Sequence, residues 1–528
     1  GIFEGTGTVN TDAFFNLGGA VAPAGLFRTG TLTVNGAYIQ NADGTLLSNA
    51  RFTRRSNTSD LLSVNGDASL AGRLIIGATG RPRYGDEVTV LSANSVLGNF
   101  DDVFLISRSP LLFAETRVED GDVIAQVGAL RLSDLFGGFS NLRSLGQALD
   151  SIRFGGNFAQ FTGLFDVIDG AGIDTLAPTL ASLTPVSAFS QSTIATSFSH
   201  RFTGQLGQRT LALRGANKAA AGFSSAGNAA FAIAGTDPQD TGQIGFFSTV
   251  SGVFLSGGAE RNTGASAFEE AAFTQAGELT LGADLQVADG IAVGFAMTNI
   301  RNSNSTAGST FRPEDTSTAG AAYAAAQFGQ GFADMYVGFS RQNYGVERAS
   351  QGDFALAYQS ARGAADGRQT FAGMRVGYSI DVAPGFEFGP VASMDYVRSN
   401  IGGYDEFGAG AFGLSVHGRD FTSVGTKLGL MGALDTKLGR TSTLSAFGSV
   451  AYARELADTQ DVVTANFFGA PDAAFSIVNE LDPQWVSVNA GVELSLADRL
   501  SLSASGTSDL GRGVLTNNQG RVTLNWRF

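Results

Sequence analysis

The stretch WVSVNAGVELSL, Trp485–Leu496, decides how this chain is read. Val486, Val488, Ala490, Val492, Leu494 and Leu496 fall on one side of an extended backbone, and Ser487, Asn489, Gly491, Glu493 and Ser495 on the other. Successive side chains of a strand point to opposite faces, so this is a ribbon with one apolar and one polar face. The chain finishes in the same way: in RVTLNWRF, Arg521–Phe528, the residues Val522, Leu524, Trp526 and Phe528 alternate with polar ones. Segment 331–342 sets Ala333, Met335, Val337 and Phe339 against Asp334, Tyr336 and Ser340. Twelve such segments follow residue 243, near 244–256, 271–287, 291–300, 315–328, 331–342, 370–381, 386–398, 421–436, 441–453, 485–496, 500–509 and 519–528.

Their connections alternate in length. Short turns fall at 288–290, 329–331, 383–385, 439–440 and 497–499, and longer polar loops near 258–270, 301–314, 343–369, 399–419 and 454–483. A barrel with short turns on one side and long loops on the other gives this pattern, and a soluble sandwich has no reason to. The totals agree. Charged residues are 16% of the 528, Gly is 71 and Phe 41, against roughly 25% charged in an ordinary soluble domain. No apolar run reaches the length of about 18 residues that a transmembrane helix needs. A net charge of −14 argues against a nucleic-acid partner, which needs a basic surface. The absence of Cys removes disulfides, thiolate catalysis and cysteine-ligated metals.

The expected fold is therefore an all-β membrane protein, a twelve-stranded antiparallel transmembrane barrel over 243–528. Every backbone N–H and C=O in hydrocarbon must be paired, so the last strand is expected to meet the first, near 243–255. Asp284, Asp334, Arg375, Asp395, Lys427, Asp435 and Glu493 fall on the polar faces. They are expected to line a wet lumen, holding its shape by pairing or touching whatever threads it. An interior of twelve strands should admit one helix, about 10–12 Å across.

Two zones precede the barrel. Residues 1–128 read as a short parallel β-helix: Leu32–Gly36 (LTVNG) and Leu62–Gly66 (LSVNG) repeat 30 residues apart, between Asn-Gly and Asp-Gly turns. A small β-sandwich is the alternative. Residues 129–242 read as helical, then as a linker. Leu142, Leu145, Leu149 and Ile152 recur at helical spacing in 139–153, and 157–168 is a shorter Phe-rich stretch. The best helix starts after Thr184-Pro185 and runs to Leu213. Its stripe is Phe189, Ile194, Phe198, Phe202 and Leu206, interrupted by Ser190, Thr196, Ser199, Arg201 and Gln205. Residues 214–242, rich in Ala, Gly, Ser and Asn, read as a flexible linker.

Motifs for catalysis are weak. His200 and His417 are the only histidines; no G-x-S-x-G, H-E-x-x-H or P-loop occurs, and Gly408–Gly413 (GAGAFG) sits in a predicted loop outside any βαβ unit. The only Asn-Asn, Asn517-Asn518, lies in the last loop. No cofactor or metal is expected. The first residues, from Gly1, show neither a charged n-region nor an apolar h-region, so a signal peptide is expected upstream.

The order of these zones resembles a classical (type Va) autotransporter over nearly the whole chain. Gly18–Gln40, Leu61–Ile76 and Tyr84–Phe100 resemble the distal end of a passenger, including its autochaperone-like cap. Thr184–Arg209 (TPVSAFSQSTIATSFSHRFTGQLGQR) resembles the pre-barrel helix. Val522, Leu524, Trp526 and Phe528 resemble the terminal signal read by the outer-membrane barrel-assembly machinery, a signal shared by most outer-membrane barrels. The resemblance implies a non-catalytic, monomeric translocator in the bacterial outer membrane, displaying its passenger at the cell surface. Its implied partners are lipid, periplasmic chaperones, the assembly machinery and its own passenger. About 29 residues separate Leu213 from Gln243, and a row of Phe and Ile fits a polar lumen poorly. Either the helix 185–213 or the linker 214–242 can be the pore plug, and the linker is slightly favoured. A diffusion porin, or a surface enzyme whose catalytic part lies upstream, are the alternatives.

Overall fold

The computed structural model describes all residues except 26–27, 139, 157, 214–228, 237–240, 243, 263–266, 306–313, 350–359, 497–499, 513–517 and 527–528. It forms two compact units, one built on Gly1–Leu183 and the other on most of Thr184–Phe528. The division therefore falls inside the segment 129–242.

The first unit begins as a parallel solenoid. Thr31–Gln40 pairs in parallel with Leu61–Val64, aligning Leu32 with Leu62 and Val34 with Val64. The 30-residue repeat is thus one turn of the coil. On the second sheet Thr45–Phe52 pairs in parallel with Arg73–Gly80, and that strand with Asp102–Ile106. Leu32, Val34, Leu46, Leu62, Val64 and Leu74 fill the interior at no more than 3% exposure. Asn10, Asn35 and Asn65 form an outer ladder, with amide–carbonyl hydrogen bonds of 2.6 and 2.7 Å. The coil ends on an antiparallel hairpin, Leu112–Glu119 and Asp122–Ala129. Its two-residue turn, Asp120 (φ 50°) and Gly121 (φ 87°), has the paired positive φ values of a type I′ turn. Asp122–Ala129 pairs antiparallel with Glu87–Ser92, which on its other side is parallel to Leu61–Val64. A row of backbone groups that would otherwise face water is thereby covered.

Four helices follow: α1 (Leu132–Leu135), α2 (Ser140–Arg153), α3 (Thr162–Gly170) and α4 (Ile173–Ala181). The stripe of α2 is the expected one, with Leu142, Leu145, Leu149 and Ile152 buried. Helix α4, which contains Pro178, was not legible in the sequence. These helices meet the solenoid where Tyr84 packs edge-on against Phe154 and Phe158 and where Arg83 pairs with Asp166 at 2.5 Å.

The second unit holds helix α5 (Phe189–Leu213) and twelve long strands. The strands are β1 (Ile244–Asn262), β2 (Ala267–Ala288), β3 (Ile291–Ser305), β4 (Glu314–Phe328), β5 (Gly331–Ala349), β6 (Ser360–Tyr378), β7 (Phe386–Ile401), β8 (Arg419–Lys437), β9 (Ser442–Glu455), β10 (Gln484–Leu496), β11 (Leu500–Leu510) and β12 (Asn518–Trp526). Each pairs antiparallel with the next. The ring closes where β1 meets β12, Phe254 opposite Gly520 and Ser256 opposite Asn518. Part of the presumed linker, Ala229–Thr236, is a strand wedged into this seam, antiparallel to β1 and parallel to β12. The expectation of an unstructured linker is corrected there.

The two faces of the ring follow the alternation. Met335, Val337 and Phe339 are 57–64% exposed on the outside, while Asp334 and Ser340 beneath them are 6% and 2% exposed. Leu279, Leu281, Phe295, Met297, Met374, Val376, Leu428, Leu430, Val450, Val492 and Leu502 continue the outer apolar band. Phe328 and Tyr378, aligned with Gly331 near the short turns, lie eight residues along β5 from Phe339. At about 3.3 Å per residue and a tilt of about 40°, that is about 20 Å of height, near the apolar band of about 25 Å that outer-membrane barrels present. The outward arginines Arg341, Arg368, Arg398 and Arg454 all lie beyond this band, toward the long loops.

The long loops are more ordered than the sequence suggests. Tyr404–Asp405, Leu414–Val416, Gln460–Phe467 and Ala470–Glu480 make a four-stranded sheet within segments expected to be loops. Buried Arg348, at the end of β5, grips Glu406 of this sheet through Nε at 3.0 Å and Nη2 at 2.5 Å.

Candidate functional site in the barrel lumen

Helix α5 is entered through Thr184-Pro185 and a 3-10 turn at Val186–Ala188. Its 25 residues span about 38 Å at about 1.5 Å per residue, more than a hydrocarbon layer of about 30 Å. It packs on the inward faces of β3, β4, β5 and β7. Phe198, Phe202 and Leu206 are at most 1% exposed and lie among Ala296, Ile300, Ala319, Ala321, Tyr323, Phe371 and Val397. The rings of Phe202 and Phe371 meet edge to face at 6.0 Å. Phe189 is also buried, while the side chain of Ile194 lies outside the described residues. Linker residues 214–228 and 237–240 lie outside the described residues. The helix, whose apolar row was expected to fit a polar lumen poorly, packs inside the lumen. The reason is the wall. Small inward residues of β3 and β4 make an apolar groove inside a lumen that was read as uniformly polar.

Polar groups fix the helix along its length. At its start Arg419 of β8 donates to the Ala188 carbonyl at 2.6 Å, to Ser192 Oγ at 3.0 Å and to Gln191 Oε1 at 3.1 Å. The same guanidinium pairs with Asp461 of the loop sheet at 3.1 Å. One turn further, Gln369 Nε2 donates to the Ala195 carbonyl at 3.1 Å and its Oε1 accepts from Ser199 Oγ. Thr280 Oγ1 donates to Gln205 Oε1 at 2.6 Å. Near the short-turn end, Arg209 holds Asp284 through Nε at 2.6 Å and Nη2 at 2.9 Å. Asp284 also accepts from Tyr323 Oη at 2.9 Å, and the Arg209 guanidinium lies 4.9 Å over the Phe247 ring.

The lumen-facing residues anticipated from the sequence divide into groups. Asp284 binds the helix directly. Asp334 and Arg375 pair with each other, and Arg375 also reaches the Gly207 carbonyl at 3.3 Å. Asp395 accepts from Tyr336 Oη beside them. Lys427 is half-buried on β8, opposite Ser393. Asp435 and Glu493 are both aligned with Ser445, at the short-turn end of the opposite wall. His200 is exposed to the interior on the side of the helix turned from its groove, in the field of Asp395, Lys427, Asp509 and Arg512.

A second apolar cluster interrupts the lumen beside the helix. Phe332, Val391, Met431, Ala433 and Ala451 are at most 4% exposed, and Phe447 packs on them. Phe332 lies so close over Gly377 that a Cβ there would meet its ring at 2.5 Å. Of the terminal signal, Val522, Leu524 and Trp526 belong to β12, paired with Ala504, Leu502 and Leu500; Phe528 lies outside the described residues. Sequence reading missed Arg209, Gln369, Tyr323 and Arg419. The polar interruptions of the α5 stripe were the available sign that this helix meets a mixed surface.

Residues 252–507, from within β1 to within β11, match the family model described as the autotransporter beta-domain. Among solved structures, the chain is similar to the translocator domain of NalP from Neisseria meningitidis, at 14% identity and a TM-score of 0.42 over 64% of this chain and 98% of that one. It is also similar to the β-domain of BrkA from Bordetella, at 14% identity and a TM-score of 0.35 over 54% and 96%. The transport unit of AIDA-I from Escherichia coli stands at 13% identity and a TM-score of 0.35 over 56% and 93%. No curated protein matches the chain. Through its barrel the chain belongs to the autotransporters, outer-membrane translocators that carry their own passenger to the bacterial cell surface.

Proposed function

We propose that α5 is the trailing segment of the passenger, retained in the pore when export of the solenoid is complete. One observation carries this reading. A single helix is tied at its start by Arg419 beside the long loops and near its end by Asp284, close to a short turn. That is the path of a chain halted while crossing the barrel. A diffusion porin would need this path open. In this reading β12 and the terminal residues Val522–Phe528 are what the barrel-assembly machinery reads. Periplasmic chaperones keep the unfolded chain competent, the barrel works as a monomer, and the solenoid folds outside as the distal, autochaperone-like end of its passenger. The chain is taken as non-catalytic throughout: His417 Nε2 is engaged with Asn466 Oδ1 at 3.0 Å, and His200 faces the lumen. Conductance in planar bilayers tests the reading. The whole chain should conduct little, and a chain lacking residues 184–228 should conduct steadily. Equal conductance of the two would overturn it.

A further inference from the structure

The first unit carries a patch that its fold does not consume. In this acidic chain the buried and half-buried arginines named above sit in ion pairs: Arg83 with Asp166, Arg153 with Asp169, Arg209 with Asp284, Arg348 with Glu406, Arg375 with Asp334 and Arg419 with Asp461. One corner of the solenoid departs from this. Arg28, Arg51, Arg54, Arg55 and Arg81 are all exposed there. Their one ion pair among the described residues is a long contact of 3.8 Å from Arg54, itself 79% exposed, to Asp166.

The fold brings the five together. Arg51 is aligned with Thr79 on the adjacent strand, and Arg81 N–H donates to the Phe52 carbonyl at 3.2 Å. Arg54 and Arg55 sit in the tight turn closed by Thr53 Oγ1 donating to the Ser56 carbonyl at 2.7 Å. Arg28 presents its carbonyl to Asn49 Nδ2 at 3.2 Å, two residues before Arg51.

Three carboxylates of the corner are already engaged, and a fourth, exposed Glu4, lies beside Gly25. Asp60 accepts from Gly30 N at 2.8 Å and from Asn49 N and Nδ2 at 2.9 and 2.8 Å. Asp86 accepts from Arg83 N at 2.9 Å and Asn57 Nδ2 at 3.1 Å. Asp166 is taken by Arg83 at 2.5 Å. Charges beyond a Debye length of about 8 Å are screened at physiological salt. The overall negative charge therefore does not cancel a local cluster.

We propose that this arginine corner binds a sulfated polysaccharide at the cell surface. Guanidinium forks match tetrahedral oxyanions bidentately, and strands about 4.8 Å apart set the charges at a spacing suited to a densely substituted chain. Sulfate esters are favoured over bases. Among the described residues the corner exposes guanidiniums and small hydroxyl side chains, without the run of exposed aromatic rings on which single-stranded nucleic acid stacks.

The whole chain in detergent micelles on immobilised heparin tests this, with polygalacturonate and single-stranded DNA as second and third matrices. The native chain should be retained on heparin at physiological salt. R51Q/R54Q/R55Q/R81Q should bind at least about tenfold more weakly, with the slope of log affinity against log salt reduced by about three to four, since each lost ionic contact removes about one. R341Q/R368Q/R398Q/R454Q, an equal charge change at the barrel rim, should bind as the native chain does. Unaltered heat-modifiable migration and protease resistance show that a variant is folded. Flow-through of the native chain, equal weakening by the two fourfold variants, or equal retention on polygalacturonate or DNA would each overturn the proposal.

Discussion

Asp284→Asn is the sharpest perturbation of the plug. The native pair is bidentate and dry: Asp284 is 0% and Arg209 9% exposed, at 2.6 Å. Asn keeps the shape and can still accept from Tyr323 Oη, but it strands the Arg209 cation wherever the helix stays docked. Removing one partner of a buried pair costs about 3–5 kcal/mol. At about 1.36 kcal/mol per decade, the docked-to-undocked ratio should fall by two to nearly four decades. An effective dielectric above that of a dry interior lowers this, so a rise in open fraction of roughly 100-fold is the expectation. Undocking remains opposed by Phe198, Phe202 and Leu206, whose burial contributes about 1.5–3 kcal/mol each. The assay is single-channel recording, with heat-modifiable migration to show an intact barrel. Adding Arg209→Met removes the stranded charge and should restore most of the closure, because an apolar side chain of similar volume replaces it. An open fraction unchanged by Asp284→Asn in a folded barrel would refute the reasoning. So would a double variant as open as the single.

Arg419→Gln should loosen only the start of α5, speeding protease cleavage around Thr184–Ala188 by roughly tenfold through loss of charge-assisted bonds; cleavage as slow as in the native chain would show that the contacts do not hold it. Gly66→Ala should destabilise the solenoid by about 1–3 kcal/mol, because its Cβ would lie 2.4 Å from the Gly36 carbonyl oxygen, whereas Gly77→Ala, whose nearest neighbour is Asn49 Oδ1 at 3.5 Å, should leave the urea midpoint unchanged. Burial raises the Asp60 carboxyl above the usual carboxylate range despite its donors. Its contribution is therefore full below about 3.9, the unfolded value, and is lost as pH rises through the higher folded value. The native solenoid should thus gain stability over Asp60→Asn as pH falls from neutral toward 4, and a difference independent of pH would contradict this. Deleting Phe528 should lower the amount of heat-modifiable barrel in the outer membrane, and an undiminished amount would argue against the terminal signal.

The barrel was legible because lipid imposes a period of two on every strand it touches. Met335, Val337 and Phe339 could be assigned outward from that constraint alone. The solenoid was legible because Leu32 and Leu62 occupy the same place in successive turns. Above the lipid the constraint disappears, so β1, β3 and β5 run on to Asn262, Ser305 and Ala349 past the end of their alternation. There, too, a four-stranded sheet was read as loop. The docking of α5 escaped for a different reason. Ala296, Ala319 and Ala321 look neutral in a sequence, and they become a groove only when adjacent strands set them side by side. The arginine corner is likewise a product of adjacency, joining residues 51–55 to residue 81 across one turn of the coil.

The hairpin that closes the solenoid makes it a spring stoppered at one end. Whole turns can be gained or lost at the opposite end without disturbing the stopper, the helices docked beside it or the barrel. The turns need not be equal in length, since Gly7 aligns with Leu32, Thr45 with Arg73 and Thr31 with Leu61, and the connections between strands take up the difference. Cargo size in such an architecture therefore grows by turns of the coil, about 25 to 30 residues at a step in this chain, and the export apparatus is indifferent to how many steps there are.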